Sequence, residues 1–268
     1  VALLVASLLH LLLLLGFTQL WPALIHLLLF GWITAIILAV NYHLLPVFSG
    51  RNFPIVRLPL VHWAIWTAGI TLTVAAMIGQ WRWAITCGLL LQLGAALLFV
   101  ANTLLMFVRG PRRAQGPPLP PHPDQVVIDR LGTQATKSAG LCLPLALLML
   151  LAADQGWIDG SWVLAAEHLT TLGWILLMIV GVAYHVLPRF SGHSVRGPRW
   201  VRLHLCCHSA ALLLMIPALG LGWTTLFVLG ASLMAGALGV FAWTVWPTLV
   251  VLRPRPTPIQ LTLKERPR

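Results

Sequence analysis

PALIHLLLFGWITAIILAVNYHLLPV, residues 22–47, contains no Asp, Glu, Lys or Arg. About 20 apolar residues are enough to cross a hydrocarbon core of roughly 30 Å, so this run reads as a membrane span. It is too long and too uniformly apolar for a barrel strand, which alternates over about ten residues. A backbone crossing lipid must satisfy its own hydrogen bonds, and a helix does so. Working outward, breaks at proline, glycine and charge clusters give further spans near 1–20, 55–79, 81–109, 133–154, 161–189, 199–221 and 223–252. The whole chain agrees: of 268 residues 59% are hydrophobic and only 9% charged, against about a quarter charged in soluble domains. The predicted fold is an all-α polytopic membrane helix bundle of eight transmembrane helices, with little chain left for a soluble domain.

The formal charge of +11 does not mark a nucleic-acid reader, because the basic residues lie between apolar runs rather than along one face. They report topology. Of the 17 Lys and Arg residues, all but Arg82 fall in segments reached after even-numbered spans. Basic residues collect in cytoplasmic loops, so both termini are expected in the cytoplasm and the turns near 16–22, 79–82, 154–160 and 221–223 outside. The one long polar interruption, 110–131, is proline-rich and reads as an extended connector. It separates a first four-helix unit (1–109) from a second (132–253), followed by a basic tail (254–268). The sequence opens at Val1 rather than methionine, which leaves a missing start or leading segment open, and no basic n-region with a cleavage site precedes the first span. Cys87, Cys142, Cys206 and Cys207 lie in or beside apolar stretches, in neither a disulfide nor a zinc-ribbon pattern.

The two units are copies. At a constant offset of 142 residues, His26, Gly31, Trp32, Tyr42, His43, Pro46, Ser49 and Gly50 match His168, Gly173, Trp174, Tyr184, His185, Pro188, Ser191 and Gly192. The register continues through Arg57 and Arg199, His62 and His204, Trp81 and Trp223, and Phe99 and Phe241. Each copy has an even number of spans, so the copies are expected to be parallel, related by a pseudo-twofold axis along the membrane normal, with equivalent residues at equal depth.

Ionisable side chains within a bilayer are functional candidates by default, and here nearly all are histidines. His26 and His168 lie near the outer ends of spans 2 and 6, where a twofold can oppose them across one site. Two opposed imidazoles are what a six-coordinate b-type haem requires. Gly31 and Gly173 would clear space for the macrocycle, Trp32 and Trp174 would pack beside it, and Arg82, between Trp81 and Trp83, would meet its propionates. The plain alternatives are interhelical hydrogen bonds for the histidines and an interfacial anchor for the arginine. Glu167 could accept the free ring N–H of His168.

His43, His62, His185 and His204 form a second set at the opposite end. Seventeen residues separate His26 from His43, roughly 25 Å along a helix and about 100° around it, so one metal cannot join them and two haems on one face would need a kink or bulge. The second set is either another haem or metal site or a group bonded to loop carbonyls. His204-Leu-Cys-Cys-His208 carries copper- or zinc-ligand types, but only the two histidines share a face. His10 reads as a core histidine; His122 and His193 are loop residues.

The string from His26 to Trp63, His-x4-Gly-Trp-x9-Tyr-His-x2-Pro-x2-Ser-Gly-Arg-x5-Arg-Leu-x3-His-Trp, resembles the catalytic subunit I of haem-copper oxidases, especially the cbb-type branch, and His168 to His204 resembles it again. The family has more spans, a His-His pair and a late His-x-His pair, none of which occurs here. The resemblance therefore implies a reduced relative that keeps a metal-ligand role for His26 and, through the repeat, His168, but has lost oxygen reduction.

The resulting expectation is a membrane b-type cytochrome without a catalytic constellation of its own. It holds haem b, one or two copies, and passes electrons to a redox partner subunit or cytochrome c in a hetero-oligomeric complex of a bacterial inner membrane. Its rivals are a copper or haem transport or chaperone protein and a purely structural assembly subunit.

Overall fold

The computed structural model describes residues 20–117 and 119–250. Within them are seven helices long and apolar enough to cross a membrane: α1 (Trp21–Ser49), α2 (Leu58–Gly79), α3 (Arg82–Arg109), α4 (Gln125–Asp154), α5 (Ser161–Ser191), α6 (Pro198–Leu221) and α7 (Thr224–Leu249). The run expected to span at 1–20, His10 and the 254–268 tail lie outside the described residues. No extended strand occurs among the described residues.

The helix ends follow local chemistry. Ser49 and Ser191 are each followed by a glycine in the left-handed region, Gly50 (φ 65°) and Gly192 (φ 67°), the residue type that stops a helix there at no steric cost. Gly50 has a second reason to lack a side chain: a Cβ would lie 2.7 Å from Pro117 Cδ, where the connector crosses the end of α1. Arg51 fastens the same junction by donating to the Gly110 carbonyl at 3.2 Å.

The connector is shorter than its composition suggests. Proline ends at Pro123, and α4 starts at Gln125 rather than near 133. Gln125 and Ile128 are fully buried, and Gln125 Nε2 donates to the Tyr184 carbonyl at 3.0 Å. Asp129 and Arg130, which look like loop residues in the sequence, are helical because Asp129 has partners on α5.

Two of the long helices are not α-helical throughout. Leu27–Ile33 in α1 and Leu169–Leu176 in α5 are π-helical, each beginning at the residue after a candidate histidine. The largest apolar cluster joins the two halves: Phe30 and Leu38 of α1, Trp66 of α2 and Phe99 of α3 pack with Leu143 of α4 and Trp174 of α5. Hairpin α2–α3 forms part of this cluster, and hairpin α6–α7 packs against α4 and α5 in a second one.

Candidate functional site

His26 ends the first α-helical turns of α1 and is buried. Its Nε2–H donates to Gln92 Oε1 of α3 at 3.0 Å, because the amide nitrogen of Gln92 is itself donated to Thr73 Oγ1 of α2 at 2.8 Å. The imidazole also stacks on Phe30, centroids 4.6 Å apart. His26 thus looks into its own half. His168 does likewise, but with other partners. Its Nδ1–H donates to the Leu164 carbonyl one turn back, at 2.9 Å, and its ring meets the edge of Phe227 on α7 at 6.1 Å. The reason is in the sequence: 142 residues beyond Gln92 and Thr73 stand Met234 and Met215, which offer no strong acceptor. The ring N–H of His168 goes to backbone, not to Glu167.

No hydrogen bond or ring contact joins His26 to His168; each ring is held within its own half. The accessory residues are placed accordingly. A Cβ on Gly31 would meet Leu27 and Ile70, and one on Gly173 would meet Leu169 and Cys142, so both glycines serve close packing rather than an open face. Trp32 is 65% exposed. Trp174 is fully buried and donates Nε1–H to Thr34 Oγ1 across the halves at 3.0 Å. Arg82 donates to the Asp154 carbonyl at 3.3 Å.

At the other end of the helices the second histidine set is dispersed. His43 is exposed. His185, its equivalent, is buried and stacked on Phe48 of α1 at 4.9 Å, with Nδ1 3.0 Å from Asp129 Oδ1 and Nε2 3.3 Å from Thr133 Oγ1. Arg189 grips the same carboxylate with both guanidinium nitrogens, at 3.0 and 2.7 Å. Sequence reasoning missed this ion-pair cluster by assigning Asp129 to the connector. The available signal was that Asp129 is one of only six acidic residues and directly follows the apolar triplet Val126-Val127-Ile128.

His62 and His204 occupy matched aromatic surroundings. His62 lies 5.4 Å from Tyr42 and 6.0 Å from Phe99; His204 lies 5.9 Å from Tyr184 and 5.3 Å from Phe241. Both are fully buried. His204 Nδ1 meets the Tyr184 hydroxyl at 2.9 Å, whereas neither ring nitrogen of His62 has a partner. His208, one turn on, donates Nε2–H to the Leu172 carbonyl at 3.0 Å and stands perpendicular to His204, centroids 5.6 Å apart. His204 Nε2 and His208 Nδ1 are left unpartnered. Among the described residues no three His, Cys, Asp or Glu side chains converge as a metal-ligand group, and the four cysteines are free thiols.

Among the described residues, cavities lie between the halves. One of about 500 Å³ runs between α1 and α5 along Ile36, Val40, Ile179 and Val186. Another, of about 270 Å³, lies among α1, α3, α4 and α5 and includes Asn41, Thr103 and Lys137 in its wall. A small one of about 40 Å³ reaches His185 and shares Asn41 and Thr136 with the second. His26 and His168 line none of these three. The imidazoles suit haem iron in donor type, and each makes its hydrogen bond within its own half.

No protein-family model matches the chain, and no curated protein matches it.

Proposed function

We propose that the chain is an integral membrane b-type haem protein that transfers electrons within a membrane redox complex, as a relative of oxidase subunit I without oxygen reduction. The observation that carries this reading is the matched departure from α-helix directly after His26 and His168. π-helical turns within long helices are costly and are found frequently at functional sites. Here two of them follow the same residue type at the same offset. In this reading the halves are parallel four-helix repeats, the basic end faces the cytoplasm, and a partner subunit or cytochrome c exchanges electrons at the outer end. Bound haem would supply the one-electron couple. The chain would supply imidazole donors and a medium free of water. His26 would have to give up Gln92, and His168 would turn its unbonded Nε2 towards iron.

The test is a visible spectrum and pyridine haemochrome assay on detergent-purified protein, with His26→Ala and His168→Ala. A low-spin spectrum with stoichiometric iron, lost in either variant, supports one haem shared by both residues. Loss of half the haem in each supports separate sites. Full haem in both variants, or no Soret band in the parent protein, rejects the reading.

A second reading, a membrane protein that carries copper in transit, draws on the unpartnered nitrogens of His204 and His208. Imidazole suits copper. Exchangeable copper without haem, abolished by His208→Ala, would favour it over the cytochrome.

A further inference from the structure

Where α5 leads into α6, the second half carries an arginine and tryptophan surface that the first half lacks. Of Arg196, Arg199, Arg202, Trp243 and Trp246, only Arg199 has its own kind at the matching position, Arg57; the others stand against Pro54, Leu60, Ala101 and Leu104. Topology asks for basic residues at this end in either half, so it does not explain a set confined to one.

The three arginines step along the start of α6 at every third residue, Arg196 in the loop and Arg199 and Arg202 in the first two turns. All are exposed, and residues three apart on a helix are neighbours. Arg196 is fixed to the far end of α7. Its backbone N–H donates to the Thr244 carbonyl at 3.1 Å and its Nε–H to the Trp243 carbonyl at 2.9 Å. Its guanidinium carbon lies 3.6 Å from the centroid of the Trp243 ring, a cation–π contact. Among the described residues the ion pairs belong to Asp129, and none of these three arginines meets a carboxylate. The sequence offers none nearby, since no Asp or Glu occurs between Glu167 and Glu265. The stretch beyond α7 is itself basic, and Glu265 stands between Lys264 and Arg266. Like charges gathered without an acid repel one another, and an anion from outside the chain relieves that.

The surroundings narrow the anion. Leu203, which follows Arg202, is 43% exposed, and Trp246 and Leu249, one and two turns beyond Trp243, are 55% and 58% exposed. A free phosphate or an acidic protein surface would use the charged part and leave this apolar part uncovered. A molecule that joins a phosphate to acyl chains uses both, and a chain with seven membrane-spanning helices is surrounded by such molecules. Guanidinium forks bind phosphate bidentately. We propose that the surface formed by Arg196, Arg199 and Arg202 binds an anionic phospholipid. Its phosphate oxygens accept from the guanidinium N–H groups, and its acyl chains lie along Leu203, Trp246 and Leu249. The proposal rests on the membrane spans and not on the haem reading.

The experiment is native mass spectrometry of the full chain released from detergent with equal amounts of phosphatidylglycerol and phosphatidylcholine. The parent protein should retain phosphatidylglycerol in preference. Arg199→Gln with Arg202→Gln removes side chains that make no hydrogen bond among the described residues, and should weaken retention about ten- to thirtyfold. Arg57→Gln with Arg109→Gln, an equal loss of charge in the first half, should weaken it less than twofold. A measurement on the unaltered arginines stands beside these: phosphatidylglycerol with brominated chains should quench tryptophan emission in the parent protein, and less in Trp246→Phe. Equal weakening by the two arginine pairs would show diffuse attraction and overturn the proposal. So would displacement of the lipid by an equal concentration of glycerol phosphate, tighter binding of polyglutamate than of the lipid, or no preference for phosphatidylglycerol in the parent protein.

Discussion

The Asp129 cluster is the most consequential set of single side chains that the structure adds. One carboxylate answers Arg189, His185 and Gln125, all partly or fully withdrawn from solvent. Removing one member of such a group leaves the others charged or polar without partners, whereas removing both ends of the pair leaves nothing unpaired. Asp129→Leu should therefore lower stability by about 2–4 kcal/mol, somewhat below the figure for fully buried pairs. The double variant Asp129→Leu with Arg189→Met should recover much of the loss. Thermal unfolding in detergent checks both, and a double variant no better than the single one would show that the cluster is not a coupled unit. Gln92 offers a parallel experiment at the other end. Gln92→Leu strips His26 of its acceptor and should cost about 1–3 kcal/mol. If His26 ligates haem, bound haem should rise or hold in that variant while the haem-free form loses stability; a fall in both would leave His26 as interhelical glue.

At the scale of elements, each π-helical stretch takes up an extra residue directly after a candidate histidine. A π turn holds one residue more than the α turn it replaces, and each residue is worth about 100° around the axis. Deleting Leu28, an exposed residue inside Leu27–Ile33, should therefore restore an α turn while keeping both His26 and the rest of α1 in register. The expected readout is unchanged helicity by circular dichroism and a melting temperature near that of the parent; a large fall would show that the π segment holds more than one surplus residue. A deletion at the exposed Ile36, outside the π segment, should instead break the packing of α1 downstream. None of this was legible in the sequence. Uniform apolarity announces a span, which is why α1, α2, α3, α5, α6 and α7 were expected close to their observed limits, yet the same uniformity erases the periodicity that would reveal rotation or an extra residue. The start of α4 was misjudged for the opposite reason, since Asp129 and Arg130 looked solvated when Asp129 is neutralised across the bundle. Of the candidate site, the identity and burial of His26, His62, His185 and His204 could be read from the chain. Their directions could not, because Gln92, Leu164 and Asp129 act through helix rotation rather than through spacing.

For the whole molecule, matched residues do not share matched surroundings. Trp174 is fully buried where Trp32 is 65% exposed, and His185 is buried where His43 is exposed. A closed twofold contact would place each such pair alike, because an isologous interface uses the same patch on both sides. Among the described residues the halves meet through different faces: α3 packs on both α2 and α4, and α7 chiefly on α6. Within their most apolar windows, 44% of α3 is buried against 17% of α7. Leu93 and Ala96 of α3 are buried, while Ala235, which matches Leu93, is exposed on α7 beside Gly236 and Gly239. Overpacking a filled helix contact costs about 1–3 kcal/mol, and a lipid-facing position tolerates the same added volume. Ala96→Leu should therefore lower the melting temperature of the isolated chain markedly, and Ala235→Leu should leave it within about 0.5 kcal/mol of the parent. If Ala235→Leu proves as damaging as Ala96→Leu, this face of α7 is covered in the folded protein.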